Sequence, residues 1–209
     1  MHDAPLSRYL FRMPGSVATK DKEQKLDAVA RAVASLLLSH GIPALTPSRV
    51  ARAARVSRGW IYKYLGGGDK LIEFAVDRLG KDFAELGSPI RAKNRDELRD
   101  ALIEGSRRMY FKAVDQPFLL PIYFRYVQSP TPLGERIREI EAVYLRRLAE
   151  SIRASLGIDM MRAKQLAELL TSLRMSLGFR IPAREPQLSP QSLSALWAEY
   201  SRLVDLLLR

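Results

Sequence analysis

Hydrophobic residues three and four positions apart recur through most of the chain, and no stretch sustains the every-other-residue alternation of a half-buried strand. The pattern predicts an all-α fold. Between residues 46 and 65 it predicts two short helices joined by a tight turn. Thr46 can accept a backbone N–H bond as an N-cap, and Pro47 then occupies the first helical position, where its missing donor is not needed. Val50, Ala51 and Ala54 fall on one face of that helix. Ser57 is a second N-cap; beyond it Ile61 and Leu65 point one way, and Arg58, Gly59, Tyr62 and Lys63 the other.

Further along, Asn94 caps a helix over 95–115 whose stripe is Leu98, Leu102, Met109 and Ala113. Pro117 and Pro121 bracket a short kinked segment rich in aromatics (Phe118, Tyr123, Phe124, Tyr126), which Pro130 and Pro132 end. A long helix over 133–156 carries Ile137, Ile140, Tyr144, Leu148 and Ile152 and stops at Gly157. Two more helices span 159–179 and 189–208, separated by a loop holding Pro182, Pro186 and Pro190.

A buried small-residue helix followed by a capped helix with a cationic outer face is what a helix-turn-helix presents to a major groove. Charge strengthens that reading. From Ala28 to Gly68 there is no acidic residue, while Arg31, Arg49, Arg52, Arg55, Arg58 and Lys63 all lie inside. The whole chain carries 34 Lys+Arg against 23 Asp+Glu, a formal +11. Phosphates attract such a surface by counterion release without regard to sequence. Arg58 and Gly59, at the amino end of the second helix, should approach base edges, because Arg suits bidentate contact with guanine and Gly lets the backbone come close. Tyr62, Lys63 and Thr46 are better placed for phosphates.

These residues resemble the DNA-binding half of TetR-family transcriptional regulators. The family pattern, Thr-x-x-x-Ile/Val-Ala-x-x-Ala-Gly-Val-Ser-x-Gly-x-Leu/Ile-Tyr-x-Tyr/His-Phe, is matched without a gap at Thr46, Val50, Ala51, Ala54, Val56, Ser57, Gly59, Ile61, Tyr62 and Tyr64. The resemblance places a first helix over 25–40, striped by Leu26, Val29, Val33, Leu36 and Leu37 and stopped by Gly41, and has Leu71 open a fourth helix. Arg55 departs from it, standing where the family has Gly in the turn; a positive φ there would strain it. Leu65 replaces Phe. Gly66, Gly67 and Gly68 replace a turn that ends in a phosphate-contacting Lys, for which Lys70 is the nearest substitute. Trp60 replaces a small polar residue, and its indole would either pack on a thymine methyl or restrict the site.

The organisation expected is an N-terminal extension over 1–22, a three-helix helix-turn-helix domain over 23–68, and a helical effector-binding and dimerisation domain over 69–209. In the extension, Arg8, Arg12, Lys20 and Lys22 suit either a loose tail or an arm reaching a minor groove. The last two helices carry wide leucine stripes, and part of each looks too broad for a monomer surface. The resemblance implies a four-helix interface between two subunits here, so Leu166, Leu170, Leu173, Leu177, Leu196, Trp197, Tyr200, Leu203 and Leu207 are expected at a homodimer contact. It also implies a small-molecule pocket in the C-terminal domain, for which Met109, Tyr110, Phe118, Tyr123 and Tyr126 are candidates. The function expected is a sequence-specific DNA-binding regulator, a repressor released from its operator by an effector.

Composition narrows the alternatives. The absence of Cys excludes disulfides, thiolate metal sites and Cys nucleophiles. His2 and His40 are the only histidines and have no companion acid or Ser in a catalytic arrangement, so neither an enzyme nor a bound cofactor or metal is expected. The run Gly66-Gly67-Gly68-Asp69-Lys70 lacks the Gly-Lys-Ser/Thr ending and the preceding strand of a phosphate loop. With no apolar run of about 18 residues and no signal peptide, a soluble cytoplasmic protein is expected. Two other readings stand beside the main one: a basic helical protein lying on anionic membrane surfaces, and a DNA-binding protein without an effector.

Overall fold

A computed structural model describes residues 17–86, 92–184 and 188–209, and every regular element among them is helical. Helix α1 (Val17–His40) leads through a single 3-10 turn (Ile42–Ala44) to α2 (Pro47–Ala54) and α3 (Arg58–Tyr64). Then come α4 (Asp69–Leu86), α5 (Arg95–Asp115), α6 (Leu119–Tyr126), α7 (Pro132–Leu156), α8 (Met160–Arg184) and α9 (Pro190–Leu207).

Most helix N-termini among the described residues are fixed by short polar side chains. Asn94 Oδ1 accepts from Glu97 N at 2.9 Å, and Glu97 returns a bond from Lys93 N at 2.9 Å. Thr131 accepts from Gly134 N at 3.2 Å and Ser189 from Ser192 N at 3.1 Å. Asp159 accepts from Met161 N and Arg162 N at 2.8 and 3.0 Å, which holds its carboxyl below the ordinary range. Gly157 ends α7 in the left-handed region.

Three expected boundaries differ. Helix α1 begins at Val17 rather than residue 25, because nothing between Val17 and Gln24 breaks a helix; residues 1–16 of the expected extension lie outside the described residues. The aromatic segment is a continuous helix, since Pro121 falls in the first turn of α6, where no intrahelical donor is required. Helix α8 runs on to Arg184 through Pro182; proline removes one donor near the helix end but favours helical φ.

Two cores result. One gathers Val29, Val33 and Leu37 of α1, Val50 and Ala54 of α2, Ile61 of α3 and Leu71, Ala75 and Leu79 of α4. It does not stop at residue 68: Leu119, Ile122 and Tyr126 of α6 and Leu133 and Ile137 of α7 belong to it. The other joins α5, α7, α8 and α9 around Leu98, Leu102, Tyr110, Leu148, Ile152, Leu170, Trp197, Tyr200 and Val204. Inside it, Ser106 Oγ and Tyr200 Oη share a 2.5 Å hydrogen bond, so the buried phenol is satisfied. Helix α4 belongs to the first core through Leu71, Ala75, Leu79 and Phe83, and its Arg78 pairs with Asp27 of α1 at 2.9 Å on the surface.

Candidate nucleic-acid interface and effector cavity

The α2–α3 pair is built as its sequence dictates. Thr46 Oγ1 accepts from Arg49 N at 3.4 Å, and Ser57 Oγ from Trp60 N at 3.0 Å. Between the helices Arg55 takes φ 55°, ψ 39°, the one positive-φ non-glycine among the described residues. Its N–H bonds Arg52 O at 3.3 Å while Val56 N bonds Ala51 O at 3.0 Å, a paired C-terminal closure that redirects the chain into α3. Ile61, with none of its surface exposed, anchors α3 in the first core, which also holds Val50, Ala51 and Leu37. Leu65 packs on the same core from the helix end.

On the opposite side Arg58, Gly59, Tyr62 and Lys63 are exposed together, flanked by exposed Thr46, Arg49 and Ser57. The Arg58 guanidinium donates to Tyr62 Oη at 3.2 Å and lies 5.4 Å from the ring centroid. Lys70 is exposed at the start of α4, beyond the triple-glycine turn. Trp60 is placed differently from the surface residues: it is half-buried, packed against the first core and 4.8 Å, centroid to centroid, from Tyr64. Both Lys22 and Lys63 hold ammonium groups over the Tyr64 ring, at 5.0 and 5.2 Å. Sequence reasoning missed Tyr64 and Lys22 as part of this surface. The motif gives Tyr64 a place but not an orientation, and Lys22 comes near only because α1 starts early.

A cavity of about 60 Å³ lies among α4, α5, α6, α7 and α8. Its wall is largely apolar, from Phe83, Met109, Leu120, Ile137, Ile140 and Met175; Tyr123, Glu141, Tyr144, Thr171 and Arg174 add polar groups. Tyr123 donates a hydrogen bond to Glu141, and burial together with that carboxylate pushes its phenol well above the ordinary range. Arg174, 7% exposed, donates to Tyr144 Oη at 2.6 Å, and Thr171 Oγ1 is buried without a hydrogen-bond partner.

Of the five ligand candidates, Met109 and Tyr123 line this cavity, and the other three do not. Tyr110 is turned into the second core, edge-on to Trp197 at 5.7 Å, because its α5 face meets α9. Tyr126 belongs to the first core and donates to Leu37 O at 3.1 Å. Phe118 precedes α6 and borders a separate polar cleft with Asp27, Arg31 and Arg78. The expected dimer residues also divide. Leu170, Leu177, Trp197 and Tyr200 are buried within the chain's own second core. Leu166, Leu173, Leu196 and Leu207 are partly buried, and Leu203 is exposed. Leu169 and Leu206, outside the expected contact set, are exposed as well.

No protein-family model matches the chain, and no match is found among curated proteins. Solved structures do match. A TetR family transcription regulator from Marinobacter aquaeolei VT8 superposes with TM-score 0.60 at 16% identity, over 89% of this chain and 97% of that one. A TetR-like transcriptional regulator from Rhodococcus sp. RHA1 gives 0.57 at 18% identity, over 94% and 96%. The fatty acid degradation regulator FadR from Bacillus halodurans gives 0.56 at 18% identity, over 88% and 97%. At these identities what is shared is the fold. From its gapless helix-turn-helix to its last helix, the chain has the fold of the TetR-family transcriptional regulators.

Proposed function

We propose that the protein is a homodimeric, sequence-specific DNA-binding regulator whose operator binding responds to a small molecule. One observation carries the reading. Helix α3 is capped by Ser57, seated on fully buried Ile61, and turns Arg58, Gly59, Tyr62 and Lys63 to solvent in a stretch without a single carboxylate from Ala28 to Gly68. Such a helix presents donors and positive charge to a groove and meets no like-charge barrier at the phosphates.

A second copy supplies the second reading helix. Helices α8 and α9 each keep exposed leucines, Leu169 on one and Leu203 and Leu206 on the other, beside the half-buried Leu166, Leu173, Leu196 and Leu207. Exposed leucines of this kind favour self-association. Two-fold pairing would make the operator near-palindromic, with half-site centres about one helical turn or a multiple apart. The cavity is the effector's place: apolar walls suit a hydrocarbon body, and Thr171 and Arg174 suit a polar group on it. At 60 Å³ it admits a large molecule only if the flexible Met109 and Met175 side chains swing aside. A repressor's role, released by that effector, follows the usual behaviour of proteins of this fold.

Selection of binding sites from a random duplex pool tests the core of the reading. An enriched two-fold symmetric motif is expected. Failure to enrich any sequence, with no retarded band at low ionic strength, would overturn it.

A further inference from the structure

Tyr62 has no place in either core, yet its ring has two close neighbours. One is Arg58, whose Nη2 donates to Tyr62 Oη at 3.2 Å. The second is Gly67. A Cβ built on Gly67 would stand 2.7 Å from Tyr62 Cε1, closer than carbon atoms approach. Its glycine neighbours Gly66 and Gly68 have positive φ, at 78° and 53°, whereas Gly67 does not. Backbone conformation therefore leaves position 67 open to other residues, and a side chain there would have to displace the tyrosine ring.

We infer that Tyr62 and Gly67 are positioning residues for Arg58. Gly67 leaves the room in which the ring lies, the ring carries the guanidinium, and the held guanidinium selects a guanine in each operator half. This rests on the DNA-binding reading above. A free arginine side chain carries roughly 2 kcal/mol of rotamer entropy, and ordering part of it before binding leaves less to lose at the base edge. Bidentate contact with guanine O6 and N7 then rewards a fixed fork. A tyrosine acting on phosphate would contribute equally to every sequence; one acting through Arg58 shows itself in discrimination alone.

The test uses full-length wild type, Gly67→Ala, Tyr62→Phe, Tyr62→Ala and the double variant Tyr62→Ala/Gly67→Ala. Affinities are measured for the selected operator, for the operator with its guanine replaced, and for a scrambled duplex, across a range of salt. Gly67→Ala should lower the preference for operator over scrambled duplex about tenfold, the scale of one charged hydrogen bond, with its melting temperature near wild type. Tyr62→Phe keeps the ring and loses the acceptor, so a smaller drop of about threefold is expected. In the Tyr62→Ala background Gly67→Ala should add nothing, and on the guanine-replaced operator the variants should converge.

Three outcomes overturn the inference. The first is equal loss on operator and scrambled duplex with a salt slope reduced by about one, which marks a phosphate contact. The second is better discrimination by Tyr62→Phe, which marks an arginine parked away from DNA. The third is Gly67→Ala discriminating as well as wild type. A wild-type protein that retards no duplex instead sinks the DNA-binding reading itself.

Discussion

Arg58 and Lys63 are both exposed on α3, yet different consequences are expected of losing them. Arg58→Ala should cost about 1–3 kcal/mol on the operator and relax the preference at one base pair. Lys63→Ala should weaken all duplexes alike and flatten the salt dependence. Binding to operator and scrambled duplexes at two salt concentrations separates them; equal losses for Arg58→Ala on both would remove its base-reading role. Arg55 carries a different expectation. A left-handed conformation costs a non-glycine residue roughly 1–2 kcal/mol, part of which glycine's looser unfolded state would offset. Arg55→Gly should therefore raise stability by up to about 1 kcal/mol, read from the urea midpoint. That strain was legible in the sequence because the motif's spacing puts Arg55 at the turn. The Tyr62–Gly67 contact was not, since a space filled by a neighbouring ring leaves no mark on residue types.

At the scale of elements, caps carried most of the legible information. Thr46, Ser57 and Asn94 each read as an N-cap from residue type and position, and each accepts the expected backbone bond. A cap is a local matter: the side chain reaches a donor two or three residues on, so sequence suffices. Ser57→Ala should destabilise the fold by about 1 kcal/mol, and Ser57→Asp should retain the cap's stability while weakening DNA binding by placing a carboxylate before the phosphates. Thermal melts paired with mobility shifts check both; unchanged binding by Ser57→Asp would move the DNA away from the start of α3. Prolines were less reliable markers. Pro121 opens α6 and Pro182 lies within α8, because proline excludes one hydrogen bond rather than a helix.

Across the whole molecule, α6 links its two regions. Tyr123 of this helix reaches the cavity, while Arg125 and Tyr126, two and three residues on, donate to Leu38 O and Leu37 O near the end of α1. Tyr126→Phe removes one of these bonds, so a loss of about 1 kcal/mol is expected in urea unfolding. For the proposed dimer, Leu203→Glu combined with Leu206→Glu should give a monomer by sedimentation without loss of helicity. A variant that stayed dimeric would place the interface elsewhere.

By itself the sequence determined the helices, their caps and the cationic face of α3, because these depend on neighbours within about four residues, where spacing is geometry. It also specified which helices carry leucines. Only the tertiary structure decided how those leucines divide: Leu170, Leu177, Trp197 and Tyr200 go to the chain's own core, and Leu169, Leu203 and Leu206 go to its surface. The same holds for the cavity, where Phe83, Thr171 and Arg174, far apart in the chain, replace Tyr110, Phe118 and Tyr126. An apolar stripe wider than one contact can be met from several directions. Which direction wins is settled by how long helices cross, and a helical period carries no record of that.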